Sequence, residues 1–211
     1  MNQEPVNIMG VVAFPNPDKD KQVVRFIDSR YNELFRVPDG GNVVLTQFDG
    51  SRAVLPCTYI DDYHAKIGRS VYHICQFAKL MEQNGAIYEP EHPREGDTLG
   101  SYEVYQISDI CKTKYCFLSY DAAKGHLRAA DYRRVYAGVL SPKLSLDELY
   151  AKHNRDERPF GQRMRSLSVS DVLVVRRDGK KKAYYVDSIG FREVPEFLKQ
   201  LNRKKERGEA R

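Results

Sequence analysis

Apolar positions along this chain fall into short runs cut by turn residues, the pattern of sheets built from many strands. Val6 to Phe14 reads as a first strand, closed by Pro15-Asn16-Pro17-Asp18. Gln22 to Ile27 reads as a second, and Asp28 to Phe35 carries no clear period. Pro38-Asp39-Gly40-Gly41 marks a turn. Asn42 to Phe48 and Arg52 to Ile60 form a hairpin across Asp49-Gly50, with Pro56 implying an edge or a bulge in the second arm. Val71, Ile74, Phe77, Ala78 and Met81 recur at helical spacing, with Ser70 as N-cap and Asn84-Gly85 as the stop. Residues 1–88 therefore predict a four-stranded, mostly antiparallel sheet with one covering helix.

Tyr88 to Gly100 holds prolines, glycines and acids with little to bury, and reads as a linker. Beyond it, Tyr102 to Ile107 alternates as a strand. Tyr115 to Tyr120 is a short apolar run, Asp121 to His126 a helical turn, and Tyr132 to Leu140 a strand. Ser145-Leu146-Asp147-Glu148 has the form of a capping box for a helix reaching about Asn154, followed by a polar loop to Gln162. Val172–Val175 and Ala183–Val186 pair across Asp178-Gly179, and alternation sends one of Tyr184 and Tyr185 to the core. Asp187 to Phe191 reads as a turn carrying one buried aromatic, and Pro195 takes the first position of a helix.

These elements predict an α+β fold in two small units, each an antiparallel sheet with one or two packed helices. The expected divisions are an N-terminal sheet-plus-helix domain at 1–88, a linker at 89–100, a second domain at 101–198 and a basic helix end or tail at 199–211.

Composition narrows the class. No run of about 18 apolar residues is present, so no membrane-spanning helix is expected. Residues 1–5 lack the basic start and apolar core of a signal peptide, and the expected location is the cytoplasm. Cys57, Cys75, Cys111 and Cys116 sit at no zinc or redox spacing and read as reduced, mostly buried thiols. The net charge of +5 is uneven: residues 1–151 carry −3 and residues 152–211 carry +8. A basic half attracts nucleic acid or an acidic protein surface.

Candidate chemistry is sparse. Asp61, Asp62, His64 and His73 are the one cluster with acids and histidines together. The nine-residue separation of the histidines does not match the i, i+3 or i+4 spacing of helical metal ligands. The aspartates read as turn formers and His73 as a helix residue at the core boundary. Ser166, Ser168 and Ser170 lack a positioned base and read as caps and turn donors, and Asp187 as the residue that orders its own turn. Asp39-Gly40-Gly41 lacks the lysine and following helix of a phosphate loop. No catalytic, cofactor-binding or metal residue is therefore assigned, no cofactor is expected, and the chain reads as non-enzymatic.

The remaining signal is basic. Arg176, Arg177, Lys180, Lys181 and Lys182 flank the second Asp-Gly turn and are expected to project from one hairpin tip. Arg155, Arg158, Arg163 and Arg165 lie in the loop before it. Arg158, Arg163, Arg165, Arg176, Arg177 and Lys180–Lys182 form the candidate binding set, for an acidic protein surface or for phosphates. Edge protection by lysine is the plain alternative.

From Tyr102 onward the chain resembles the YodL-like domain. The residues that carry the resemblance are Tyr102 to Ile107, Tyr132 with Val135-Tyr136, Leu146 to Tyr150 with Asn154, and above all Arg165 to Val172. Tyr184 to Ser188, Gly190-Phe191 and Val194 to Phe197 follow in order. Residues 38–41, 57–64 and 71–85 resemble uncharacterised segments that precede such a domain in proteins of conjugative elements and prophages. The resemblance implies a mobile-element protein, in company with antirestriction modules; one bacterial family member is linked to inhibition of the actin-like cytoskeletal protein. It implies no catalytic residue. The expected function is binding and antagonising a host factor, a restriction or CRISPR nuclease first. Nucleic-acid binding during transfer and cytoskeletal inhibition are the alternatives.

Overall fold

The computed structural model describes residues 6–8, 11–13, 22–97, 99–161 and 163–209, with 6–8, 11–13 and 204–209 described by backbone alone. The expected turn at Pro15–Asp18 and the last residues of the basic tail lie outside these. The first expected strand is two: β1 (Val6–Ile8) and β2 (Val11–Ala13) pair antiparallel with each other.

β3 (Val23–Ile27) and β4 (Glu33–Pro38) form a second two-stranded ladder. Asp28 makes the turn between them by accepting from the Arg30 and Asn32 backbone N–H groups. β5 (Asn42–Thr46), β6 (Arg52–Tyr59), β7 (His64–Ile67) and β8 (Ser70–His73) then build a meander. α1 (Ile74–Asn84) follows, and β9 (Ile87–Pro90) returns to pair with β5. The sheet order is β8-β7-β6-β5-β9, and this corrects the expected four-stranded sheet: only β5 and β6 of the four expected strands belong to it, while the first two expected strands lie in the separate β1-β2 and β3-β4 ladders.

Three local expectations are corrected here. Ser70 opens β8 and caps nothing, because Val71 belongs to a strand and is 59% exposed. The helix starts at Ile74, and its cap is His73, whose Nδ1 accepts from the Cys75 N–H while the Gln76 side chain accepts from the His73 N–H. Tyr88 to Pro90 is strand. The Tyr88 ring is buried and its hydroxyl donates to the Ile27 carbonyl at 2.7 Å, closing an aromatic core of Phe26, Phe35, Phe77 and Tyr88. Pro56 lies where β6 exchanges partners: its pairing with β5 ends at Asn42, and its pairing with β7 begins at Cys57. The Cys57 backbone bonds to Gly40 and Gly41, so Pro56 faces the other way, where its carbonyl accepts from the Gly68 N–H at 2.9 Å.

In the second half β10 (Ser101–Ile107) is followed by α2 (Tyr120–Ala123), a 3₁₀ turn at Ala129–Asp131, β11 (Tyr132–Val139) and α3 (Leu146–Lys152). β12 (Val172–Arg177), β13 (Lys180–Val186), β14 (Phe191–Glu193) and α4 (Pro195–Glu209) complete it. The sheet is antiparallel throughout, in the order β11-β10-β12-β13-β14.

β12 is buried on both faces, which is why Val172–Val175 is a continuous apolar run and not an alternation. One face packs Tyr105, Val172, Val174 and Tyr185 against Phe197 of α4. The other packs Tyr102, Leu173 and Val175 against Leu149 of α3 and Leu167. Ser145 and Glu148 cap α3 reciprocally, as expected. The turn at Asp178 (φ 47) and Gly179 (φ 73) has both central residues left-handed, the geometry that favours this residue pair.

The halves touch. Lys152 pairs with Glu82, Arg30 with Glu148, and the Tyr136 hydroxyl donates to the Glu82 carbonyl at 3.2 Å. Gly100, just ahead of β10, is pressed against the next segment: a Cβ there would stand 2.5 Å from the Leu140 carbonyl oxygen. Gly100→Ala is therefore expected to destabilise by about 2 kcal/mol, since backbone rather than a pliable side chain must give way. Urea denaturation checks this, and an unchanged midpoint would refute it.

Candidate functional site

Asp171 immediately precedes β12 and follows Ser170, which holds a positive φ of 78°. Its side chain is fully buried. The carboxylate accepts from Arg165 Nη1 at 3.0 Å, Gln106 Nε2 at 2.9 Å and the Ser168 backbone N–H at 2.9 Å, and Arg165 Nη2 completes a bidentate pair. Burial pushes the carboxyl up to about 6, against the lowering pull of Arg165, the Ser168 N–H and Gln106. The strongest stretch of the resemblance, Arg165 to Val172, is thus a folded-in polar hub. Ser168 donates to the Ser166 carbonyl within it, a turn role as expected.

The hub holds the segment 108–118 in place. Asp109 accepts from the Cys111 and Lys112 N–H groups and closes the first turn. Phe117 has a φ of +63°, which for an aromatic residue costs about 1–2 kcal/mol. Its N–H donates to Ser170 Oγ at 3.0 Å, the Tyr185 hydroxyl donates to the Leu118 carbonyl at 2.7 Å, and the Tyr120 N–H donates to Asp187 at 3.0 Å. These bonds secure a strained backbone and leave its side chains outside. Ile110, Phe117 and Leu118 are 46%, 49% and 42% exposed. The Arg165 guanidinium lies 5.1 Å over the Phe117 ring. Leu118 also borders an open groove of about 760 Å3 with Lys112, Lys114, His126 and Arg128. Among the described residues the Lys114 and Arg128 side chains have no hydrogen-bond or ion-pair acceptor.

The basic residues singled out from sequence divide. Arg165 belongs to the hub. Arg176 turns back to Ser101 Oγ at 3.1 Å and pairs with Glu89 of the first half. Arg177 donates to the carbonyls of Pro142 and Leu144. Lys182 pairs with Glu193 at 3.0 Å, and Lys181 lies 3.6 Å from Glu103. The hairpin tip therefore presents three lysines, not five cations, because both arginines reach acceptors on neighbouring segments. Arg163 stacks over Phe160 at 5.1 Å, and Arg158 lies beside it with its Nε buried and without an acceptor among the described residues.

The Asp61–His73 cluster is local. Asp61 accepts from the Tyr63 and His64 N–H groups at 2.8 Å each, and the His64 ring lies 2.9 Å from the same oxygen. Among the described residues no three of His, Cys, Asp and Glu are grouped to hold a metal ion. Asp187 orders its turn by accepting from Ser188 and bonding Gly190, but the aromatic there is only half-buried. Phe117 has no sequence signal: its run looks like core, and nothing in a phenylalanine announces a left-handed backbone.

The second half is thus a small antiparallel α+β module in which a buried acid–guanidinium hub supports an exposed aromatic loop. It is a YodL-like domain, matched over residues 101–197. The hub and the loop both lie inside the matched span. No curated protein and no solved structure matches the chain. Among the described residues no helix is long and apolar enough to cross a membrane.

Proposed function

We propose that this is a non-enzymatic accessory protein of a mobile genetic element, which binds a host protein through the Phe117 loop and antagonises it. The target class is a nuclease of host defence, with an acidic surface facing the loop. The single observation that carries the reading is Phe117: half-exposed, held at a costly backbone angle, with an anchored guanidinium over its ring. Aromatic and arginine side chains are the residue types that dominate binding energy at protein interfaces. Backbone strain persists only where surrounding bonds impose it. The cations of the adjoining groove, Lys114 and Arg128 among them, favour an acidic partner and would speed encounter at low salt. The choice of a defence nuclease rests on the mobile-element resemblance alone.

Phe117→Asn tests the surface, because asparagine tolerates a left-handed backbone and the change removes the ring without asking the loop to move. Capture of a nuclease from a host with active defence systems is expected with the native chain. The variant is expected to lose binding by about thirtyfold, the scale of a hot-spot residue, at an unchanged or raised melting temperature. Equal capture by the variant refutes the surface. No nuclease captured, together with no protection of plasmid transfer, refutes the target.

A further inference from the structure

A second open groove, of about 710 Å3, lies between the halves. Its walls are the β5–β6 turn, the C-terminal end of α1, and Arg158, Phe160, Gly161 and Arg163. Phe48 and Phe160 meet there with ring centroids 5.3 Å apart. The Arg163 guanidinium lies over Phe160 and that of Arg134 over Phe48. Arg134 is fixed by Glu103 at 2.9 Å and by the Phe48 carbonyl. Arg158 lines the groove, its Nε buried and lacking an acceptor among the described residues. The side-chain amides of Gln47, Gln83 and Asn84 line it too, and none has a hydrogen-bond partner among the described residues. The one acid in the lining is Asp49, whose carboxylate is already occupied by Ser51 and held below its ordinary range by those bonds.

We propose that this groove binds a nucleotide unit. Three kinds of group converge that no simpler ligand would use together. Guanidinium donors take phosphate oxygens. Carboxamides offer a donor and an acceptor side by side, which matches the edge of a base. The exposed Arg163 guanidinium, backed by the Phe160 ring, offers a flat face on which a base can stack. A metal ion is disfavoured by Arg158 and Arg163 in the lining, and a neutral sugar leaves these guanidiniums without a counter-charge. The site is separate from the Phe117 loop and from the lysines of the β12–β13 turn, and the inference does not depend on the host target. The unit can be a free mononucleotide or one residue of a single strand; both present the same chemistry.

Titration calorimetry with AMP and with inorganic phosphate, and fluorescence anisotropy with a labelled single strand of about 12 nucleotides, within the span of known single-strand sites, test it. Binding of AMP, of the strand or of both is expected. AMP without the strand marks a mononucleotide site, and the strand binding far more tightly marks a nucleic-acid site. Arg163→Ser, a change at an exposed residue, is expected to weaken binding about tenfold, the scale of one charge-assisted contact. Gln83→Ala is expected to weaken AMP and leave phosphate unaffected. Phe117→Asn and the triple change Lys180→Glu, Lys181→Glu, Lys182→Glu are expected to leave AMP binding unchanged. No binding of AMP or strand overturns the inference, as does equal affinity for phosphate and AMP, or full binding by the folded Arg163→Ser protein.

Discussion

Asp171→Ala is expected to lower stability by about 3 kcal/mol, at the low end of the cost of breaking a buried ion pair. For a chain of this size that corresponds to a drop of roughly 6–12 °C in melting temperature. The Asp171 side chain is fully buried and Arg165 is a quarter exposed, so the guanidinium left behind can turn to water. The Ser168 N–H cannot turn away in the same manner, and Gln106 keeps only its longer bonds to the Arg165 and Ser166 carbonyls. The variant also releases Arg165 from beneath the loop, so partner capture through Phe117 is expected to fall with it. Arg165→Lys separates the two effects: it keeps a cation near Asp171 but loses the fork and the flat stacking face, so binding falls more than stability. Calorimetric unfolding of Asp171→Ala within about 1 kcal/mol of the native chain would refute the hub as a structural keystone.

His153→Gln is expected to remove an acid sensitivity built into the core. His153 is fully buried between the rings of Tyr102 and Tyr136, with Nε2 2.9 Å from the Tyr102 hydroxyl and Nδ1 without a partner among the described residues. Burial pushes its pKa down to about 3, with the charges of Lys152 and Arg158 acting in the same direction. In the unfolded chain the ring takes a proton near pH 6.5. Its contribution to stability is therefore complete above pH 6.5 and falls by up to about 1.4 kcal/mol per pH unit as the pH drops towards 3.

Asp171 acts oppositely. Its folded pKa is raised, so the folded chain takes up a proton first, and this group adds stability as the pH falls from about 6 to its ordinary value of 3.8. Between pH 6 and 4 the two contributions largely cancel in the native chain. His153→Gln exposes the Asp171 effect: relative to the native protein, the variant is expected to gain stability steadily from pH 6.5 downward. Urea midpoints measured at several pH values check this, and parallel curves for the two proteins would refute it. Comparing the curves cancels the background of surface carboxylates common to both.

Local pattern was enough for much of the fold. The Asp178-Gly179 hairpin, the Ser145–Glu148 cap, the Gly85 stop and Pro195 at the head of α4 depend on residues within a few positions of one another, and all are found as read; Asp49-Gly50 also joins two strands, but in a wider turn in which only Gly50 is left-handed. The double-sided burial of β12 was present as an unbroken run of valine and leucine. Helical spacing misled at Val71 because a strand residue happened to stand three positions before Ile74. A histidine as N-cap was likewise unreadable, since the cap depends on β8 ending where it does.

The candidate site was legible only as a set of charges. Arg176 and Glu89 are 87 positions apart, and Arg165 reaches an aspartate that six positions of turn fold back upon it. Whether a cation faces solvent or a buried acceptor is decided by which segments the sheet brings alongside it, and no local rule contains that. The same holds for Phe117, whose exposure is imposed by bonds from Ser170 and Tyr185, 53 and 67 positions further along the chain. Secondary structure here follows from short-range backbone preferences, whereas the proposed binding surface is set by long-range contacts that exist only once both sheets are closed.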